Sequence, residues 1–229
     1  TVVFPLMAII QAVGFTLGMG AGSLVSSALG EKRNEDAQII GSSAFYGSVI
    51  LGTIITVLCY IFMNPLMKLL GSTDDILPYA RDYSLWIIAG FPLMAGSFVM
   101  NNLLRSEGKA KFAMIGLTTG GILNMILDPV LISGCSLGIS GAAIATVISQ
   151  AVSFTILLMM FLLKKSIIKL SIKETSHKIK VYGEIVKVGF PSLCRQGLAS
   201  IATILLNNAA KNYGNESTIA AIGVTNKVV

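Results

Sequence analysis

Asn124-Met125-Ile126-Leu127-Asp128-Pro129 places an amide and a carboxylate inside an apolar segment that runs over about residues 112–133. Four positions separate Asn124 from Asp128, so on a helix the two share a face and stack one turn apart. Pro129 has no N–H and its ring crowds the carbonyl of Met125, which frees that carbonyl from the ladder. Amide oxygen, carboxylate and loosened carbonyl together suit a hard cation or a proton. A structural acid that caps a helix end or bonds to nearby backbone is the plainer reading of Asp128, yet a carboxylate in an apolar span is costly and by default points to function.

The surrounding composition makes that span a membrane span. The chain is 54% hydrophobic and 12% charged with mean hydropathy +0.78, against roughly a quarter charged in a soluble domain. Windows of about 20 apolar residues, enough to cross a bilayer, fall at 4–29, 37–63, 76–104, 111–133, 138–163 and 185–210, and a further span begins near Thr218. The net charge of +6 sits between these runs and not in an aromatic-basic groove, so it sets orientation and implies no nucleic acid. Lys32 and Arg33, then Arg105, Lys109 and Lys111, then the lysines of 164–187 follow alternate spans. The loops 30–36, 105–111 and 164–187 are therefore expected to be cytoplasmic.

The basic stretch over 164–184 reads as a solvated connector, in contact with anionic lipid, that divides two bundles. It holds His177, the only histidine, for which no catalytic role is expected. Cys59, Cys135 and Cys194 show neither metal-ligand nor disulfide spacing. The chain opens on Thr1 within an apolar run and closes on Val229 within another, and is expected to be a fragment that lacks one leading helix.

Several stretches together resemble the multidrug and toxic compound extrusion (MATE) transporters, in particular their MepA-like branch. They are Gly22-Ser23 with Ala28-Leu29-Gly30-Glu31-Lys32, Asn102-Leu103-Leu104-Arg105-Ser106-Glu107-Gly108, Leu123-Asn124-Met125-Ile126-Leu127-Asp128-Pro129 and Gly141-Ala142-Ala143-Ile144-Ala145-Thr146. The resemblance implies an all-α polytopic membrane bundle of two six-helix lobes. Residues 1–163 would hold helices two to six of the first lobe, 164–184 the linker, and 185–229 the start of the second. It also implies a monomeric, cation-driven antiporter in the cell membrane that exports lipophilic or cationic drugs without a cofactor beyond its coupling ion, H⁺ or Na⁺. Archaeal members place that ion on an Asn and an Asp of the fifth helix and a Thr of the sixth, matching Asn124, Asp128 and Thr146; the acid on the first helix has no counterpart in this chain.

The residues agree with that assignment. Asp128 lies 17 positions beyond Lys111, or ~25 Å along a helix, and the short uncharged turn after Gly134 brings Thr146 back to its level. Gly141, Ala142, Ala143 and Ala145 let the two helices approach closely. For Asn124 and Thr146 alone, interhelical hydrogen bonding is an equal reading. Arg195, eight positions past Lys187, snorkels, pairs with an acid elsewhere, or lines the cavity and gates it. Gln11, Asn101, Asn102, Asn207 and Asn208 either face a cavity or bond between helices, and Met7, Met19, Met94 and Met100 offer a pliable surface. Glu31 and Glu107 read as loop-closing ion pairs, with Gly30 and Gly108 supplying the turns. The alternatives are a lipid-linked oligosaccharide or polysaccharide flippase of the same superfamily, an intramembrane enzyme, for which no buried nucleophile and base pair is evident, and a membrane scaffold.

Overall fold

The computed structural model describes residues 4–63, 65–66, 77–134, 138–163, 165–176 and 178–213. They form seven helices: α1 (Phe4–Gly30), α2 (Asn34–Ile61), α3 (Leu77–Ala89), α4 (Phe91–Ser106), α5 (Ala110–Pro129), α6 (Gly138–Leu162) and α7 (Ile179–Tyr213). A π-turn at Val130–Gly134 extends α5, and one 3₁₀ turn, Ile172–Glu174, lies in the basic connector. Among the described residues four helices are long and apolar enough to cross a membrane, or five if the bent pair α3–α4 is one span. The sixth predicted span lies within α7, while His177, Cys135 and the span expected near Thr218 fall outside the described residues.

The outer surface is apolar where that of a soluble bundle is polar, and small and hydroxyl side chains join the apolar core. Serines and small residues such as Gly41, Ser42, Ser43 and Ala44 face inward on α2, whereas Ile50, Ile54, Val57 and Ile61 face out. On α5, Met114, Leu117, Ile122, Met125 and Ile126 are likewise exposed. An apolar band of this size needs lipid to cover it. The centre is α4, where Phe91, Met94, Val99, Met100, Leu103 and Leu104 are all buried. Met94 and Met100 are therefore core, not a substrate surface.

The predicted span 76–104 is broken into two helices that meet at 45°. Pro92 has no N–H to give the carbonyl of Ile88 four residues back. Thr56 Oγ1 of α2 lies 3.1 Å from that carbonyl and 2.9 Å from the Gly52 carbonyl of its own helix, so its one proton is shared between them, and Gly52 leaves room for Pro92, whose Cα would lie 3.0 Å from an added methyl.

The turns at the basic end also differ from expectation. After α4, Gly108 takes the left-handed conformation (φ +76°), with Lys109 N–H on Leu104 O and Gly108 N–H on Arg105 O. After α1 the same bond pattern forms, but Lys32 (φ +60°), not Gly30, takes the left-handed position, although that region favours glycine. Arg33 pairs with Glu31 at 2.7 Å and Asp36 at 3.0 Å on the surface. Hydrogen bonding and charge from Glu31, then Asp36, raise its already high pKa further.

The connector is shorter and more packed than a solvated linker. Helix α7 begins at Ile179 because Val181 and Ile185 share a face that joins the core of α1, α2, α4 and α6. Ile168 of the connector is 1% exposed in that same core. α7 then lies on α1 so closely that a methyl at Gly20 would run into the Ile185 carbonyl, and one at Gly189 into the Thr16 carbonyl.

Candidate ion site

Helices α5 and α6 are held together by small residues. A methyl at Gly116 would meet Leu157, one at Gly120 would meet Ser153, and one at Gly141 would lie 2.6 Å from the Leu131 carbonyl. Ser153 Oγ donates across the interface to Gly116 O at 2.9 Å. Of the small residues expected to allow this approach, Gly141, Ala143 and Ala145 are buried.

At the end of this interface away from the basic loops, Asn124, Asp128 and Thr146 come together. Asn124 Nδ2 donates to Asp128 Oδ1 at 3.2 Å and reaches Thr146 Oγ1 at 3.5 Å. Thr146 Oγ1 donates to the Ala142 carbonyl at 2.9 Å, so its lone pairs face the cluster. All three side chains are half-buried. Immediately beyond Asp128 the helix passes Pro129 and widens into the π-turn, which the missing N–H permits. Tyr83 of α3, the helix that packs on α6, was not singled out from the sequence. Its signal was a polar-tipped aromatic within an apolar span.

The cluster holds one carboxylate, and among the described residues no three His, Cys, Asp or Glu side chains gather as for a transition metal. Amide, hydroxyl and carboxylate oxygens fit a hard monovalent cation or a proton. The other candidates lie elsewhere. Asn101 is buried on α4, with Nδ2 on Ala113 O of α5 at 2.9 Å, a bond between helices. Asn102 donates to Phe98 O within α4. Gln11 is half-buried on α1, Arg195 is exposed on α7, and the side chains of Asn207 and Asn208 lie outside the described part.

Residues 1–130, more than half of the chain, match the family model MatE. The chain belongs to the MatE family. It is 31% identical to the multidrug export protein MepA of Staphylococcus saprophyticus over 98% of this chain and 50% of that protein. It superposes with TM-score 0.88 on an outward-facing multidrug resistance MATE transporter, 29% identical, over 96% of this chain and 49% of that one. An inward-facing MATE transporter matches with TM-score 0.86, 29% identical, over 96% and 50%. The chain thus spans about half the length of the relatives it matches, and it is part of a multi-pass membrane protein.

Proposed function

We propose that the chain forms most of one lobe of a secondary transporter that exports lipophilic or cationic compounds in exchange for H⁺ or Na⁺ bound at Asp128. The observation that carries this reading is the half-buried Asn124–Asp128–Thr146 cluster between two helices in an apolar span. The basic ends of the helices face the cytoplasm, which puts Asp128 in the outer half of the membrane. Only Oδ1 of Asp128 has a partner among the described residues, so Oδ2 takes a proton without any side chain moving. A sodium ion instead requires Asn124 to turn its oxygen toward the carboxylate, since its NH₂ faces Asp128 in this arrangement. Either event removes net negative charge from the cluster. It drives export only if the two states of the transporter bind the ion with different affinity.

Ethidium efflux from cells that carry the full-length protein tests the proposal. Efflux driven by an imposed pH or Na⁺ gradient, lost in Asp128→Asn at equal membrane expression, is the expected result, and the effective gradient names the ion. Efflux unchanged by Asp128→Asn would overturn the ion site. No efflux from the wild type under either gradient would overturn drug export and favour the flippase.

A further inference from the structure

Glu107 closes the turn between α4 and α5, and its side chain has no exposed surface. Its carboxylate collects four donors. Ser166 Oγ and the Ile168 N–H lie 2.5 and 3.1 Å from Oε1, and the Ile167 N–H and Lys109 Nζ lie 2.8 and 3.1 Å from Oε2. Three of these donors come from the connector. A carboxylate that accepts consecutive backbone N–H groups fixes the chain direction as well as its position.

A second attachment follows a few residues on. Ser42 Oγ of α2 donates to Lys169 O at 3.1 Å and accepts from Ser171 N–H at 3.4 Å, while Ser43 Oγ accepts from Ser176 N–H at 2.8 Å. Between them Ile168 lies against Gly41, where a methyl would come within 2.9 Å of its Cγ2, and Lys165 Nζ sits 5.4 Å from the centre of the Phe112 ring. From Lys178 onward the character changes. Lys178 is exposed and Ile179 is 87% exposed, and the first buried residue of α7 is Ile185.

We propose that Glu107 is a positioning residue that makes the connector through Ser176 a fixed part of the α1–α6 bundle, so that the pivot between the lobes lies beyond the connector, along α7. This rests on the transporter reading, because it concerns how one lobe moves against the other. A free connector of about sixteen residues would be slack and transmit no direction. Once the connector is fastened, movement between the lobes has to be taken up along α7, and the close crossing of α7 with α1 at Gly20 and Gly189 is the contact at stake.

Hydrogen exchange on the purified full-length protein tests the clamp without any transport assay. The peptide that carries Ile167 and Ile168 should be protected in the wild type and exchange about tenfold faster or more in Glu107→Gln, while α6 peptides are unchanged. Fast exchange in the wild type, or no difference in the variant, would overturn the clamp. If Glu107→Gln also loosens α6, Ser42→Ala decides instead: several-fold faster exchange at Ser171 is expected, and none would count against fastening. The pivot is tested by bridging Ser43→Cys to Ser176→Cys with a short reducible bis-thiol reagent, the native cysteines having been replaced. Efflux should stay within twofold of the unbridged protein. Efflux lost on bridging and regained on reduction would place the pivot inside the connector. Failure of the unbridged and wild-type proteins alike to pump would sink the transporter reading, and the exchange result would still judge the clamp.

Discussion

Asp128 and Glu107 are both carboxylates at the ends of apolar helices, yet they are held in opposite ways. Glu107 is fully covered and accepts four hydrogen bonds, two on each oxygen. Asp128 is half-buried and, among the described residues, accepts one, at 3.2 Å, from an amide one turn away. A carboxylate has about four lone-pair sites, so Glu107 is satisfied and Asp128 has capacity left over. The first arrangement suits the proposed clamp; the second leaves lone pairs for the proposed proton or cation. On this proposal satisfaction, not charge or depth, separates a structural acid from a working one.

The sharpest way to break the contrast is to neutralise Asp128. Asp128→Asn keeps the shape of the side chain and its bond to Asn124 within reach, so the protein should fold with wild-type thermal stability while gradient-driven efflux is nearly abolished. Thermal unfolding in detergent and efflux, measured on the same variant, check both halves. A variant that pumps normally but unfolds early would make Asp128 the structural acid and erase the distinction.

Glu107→Ala should show the converse. Four donors lose their acceptor, two of them backbone amides that have no other partner, so a loss of about 2–3 kcal/mol is expected, read as a clear drop in thermal midpoint. Residual efflux per folded molecule should fall less than in Asp128→Asn. A stability change within ±0.5 kcal/mol, the range of an ordinary surface substitution, would show that the connector is held by Ile168 and the Ser42–Ser43 pair alone.

The two regions also differed in how far the sequence disclosed them. Asn124, Asp128 and Thr146 were legible because one helix and one short turn bring them together, so that spacing and level could be worked out along the chain. The spans were legible for the same reason: long apolar runs leave little choice in a bilayer. Glu107 was read as a local ion pair with its neighbouring cations, and Lys109 does bond it. Its other partners lie about sixty positions away, and no local period signals a contact of that range. The bend at Pro92 was missed because apolar content runs unbroken through it, and the left-handed turn was assigned to Gly30 on intrinsic preference, which tertiary context at Lys32 overrides. Tyr83 required knowing that α3 packs on α6.

Thr146 probes the working site more gently. Its hydroxyl already donates to Ala142 O and meets Asn124 only at 3.5 Å, so Thr146→Val removes one weak acceptor and leaves the carboxylate in place. Efflux at limiting gradient should fall several-fold, short of the loss in Asp128→Asn, since a net hydrogen bond is worth about 1 kcal/mol. Thr146→Ser should restore it. Equal efflux in the valine and serine variants would remove Thr146 from the site and leave Asn124 and Asp128 alone.

The smallest effect is expected at Lys109, and it separates charge from satisfaction at Glu107. Among the described residues Lys109 Nζ is the only charged donor on that carboxylate, at 3.1 Å, and its side chain is 27% exposed while that of Glu107 is fully covered. If the ion pair held the turn, Lys109→Met would cost nearly as much as Glu107→Ala. Three uncharged donors remain on the carboxylate in Lys109→Met, and a partly exposed ion pair contributes about 1 kcal/mol or less. The thermal midpoint should therefore shift by a fraction of the Glu107→Ala effect, and the peptide that carries Ile167 and Ile168 should keep most of its exchange protection. A Lys109→Met loss as large as that of Glu107→Ala would mean that Glu107 is held by charge, and the division between a satisfied acid and an unsatisfied one would no longer explain why only Asp128 is free to work.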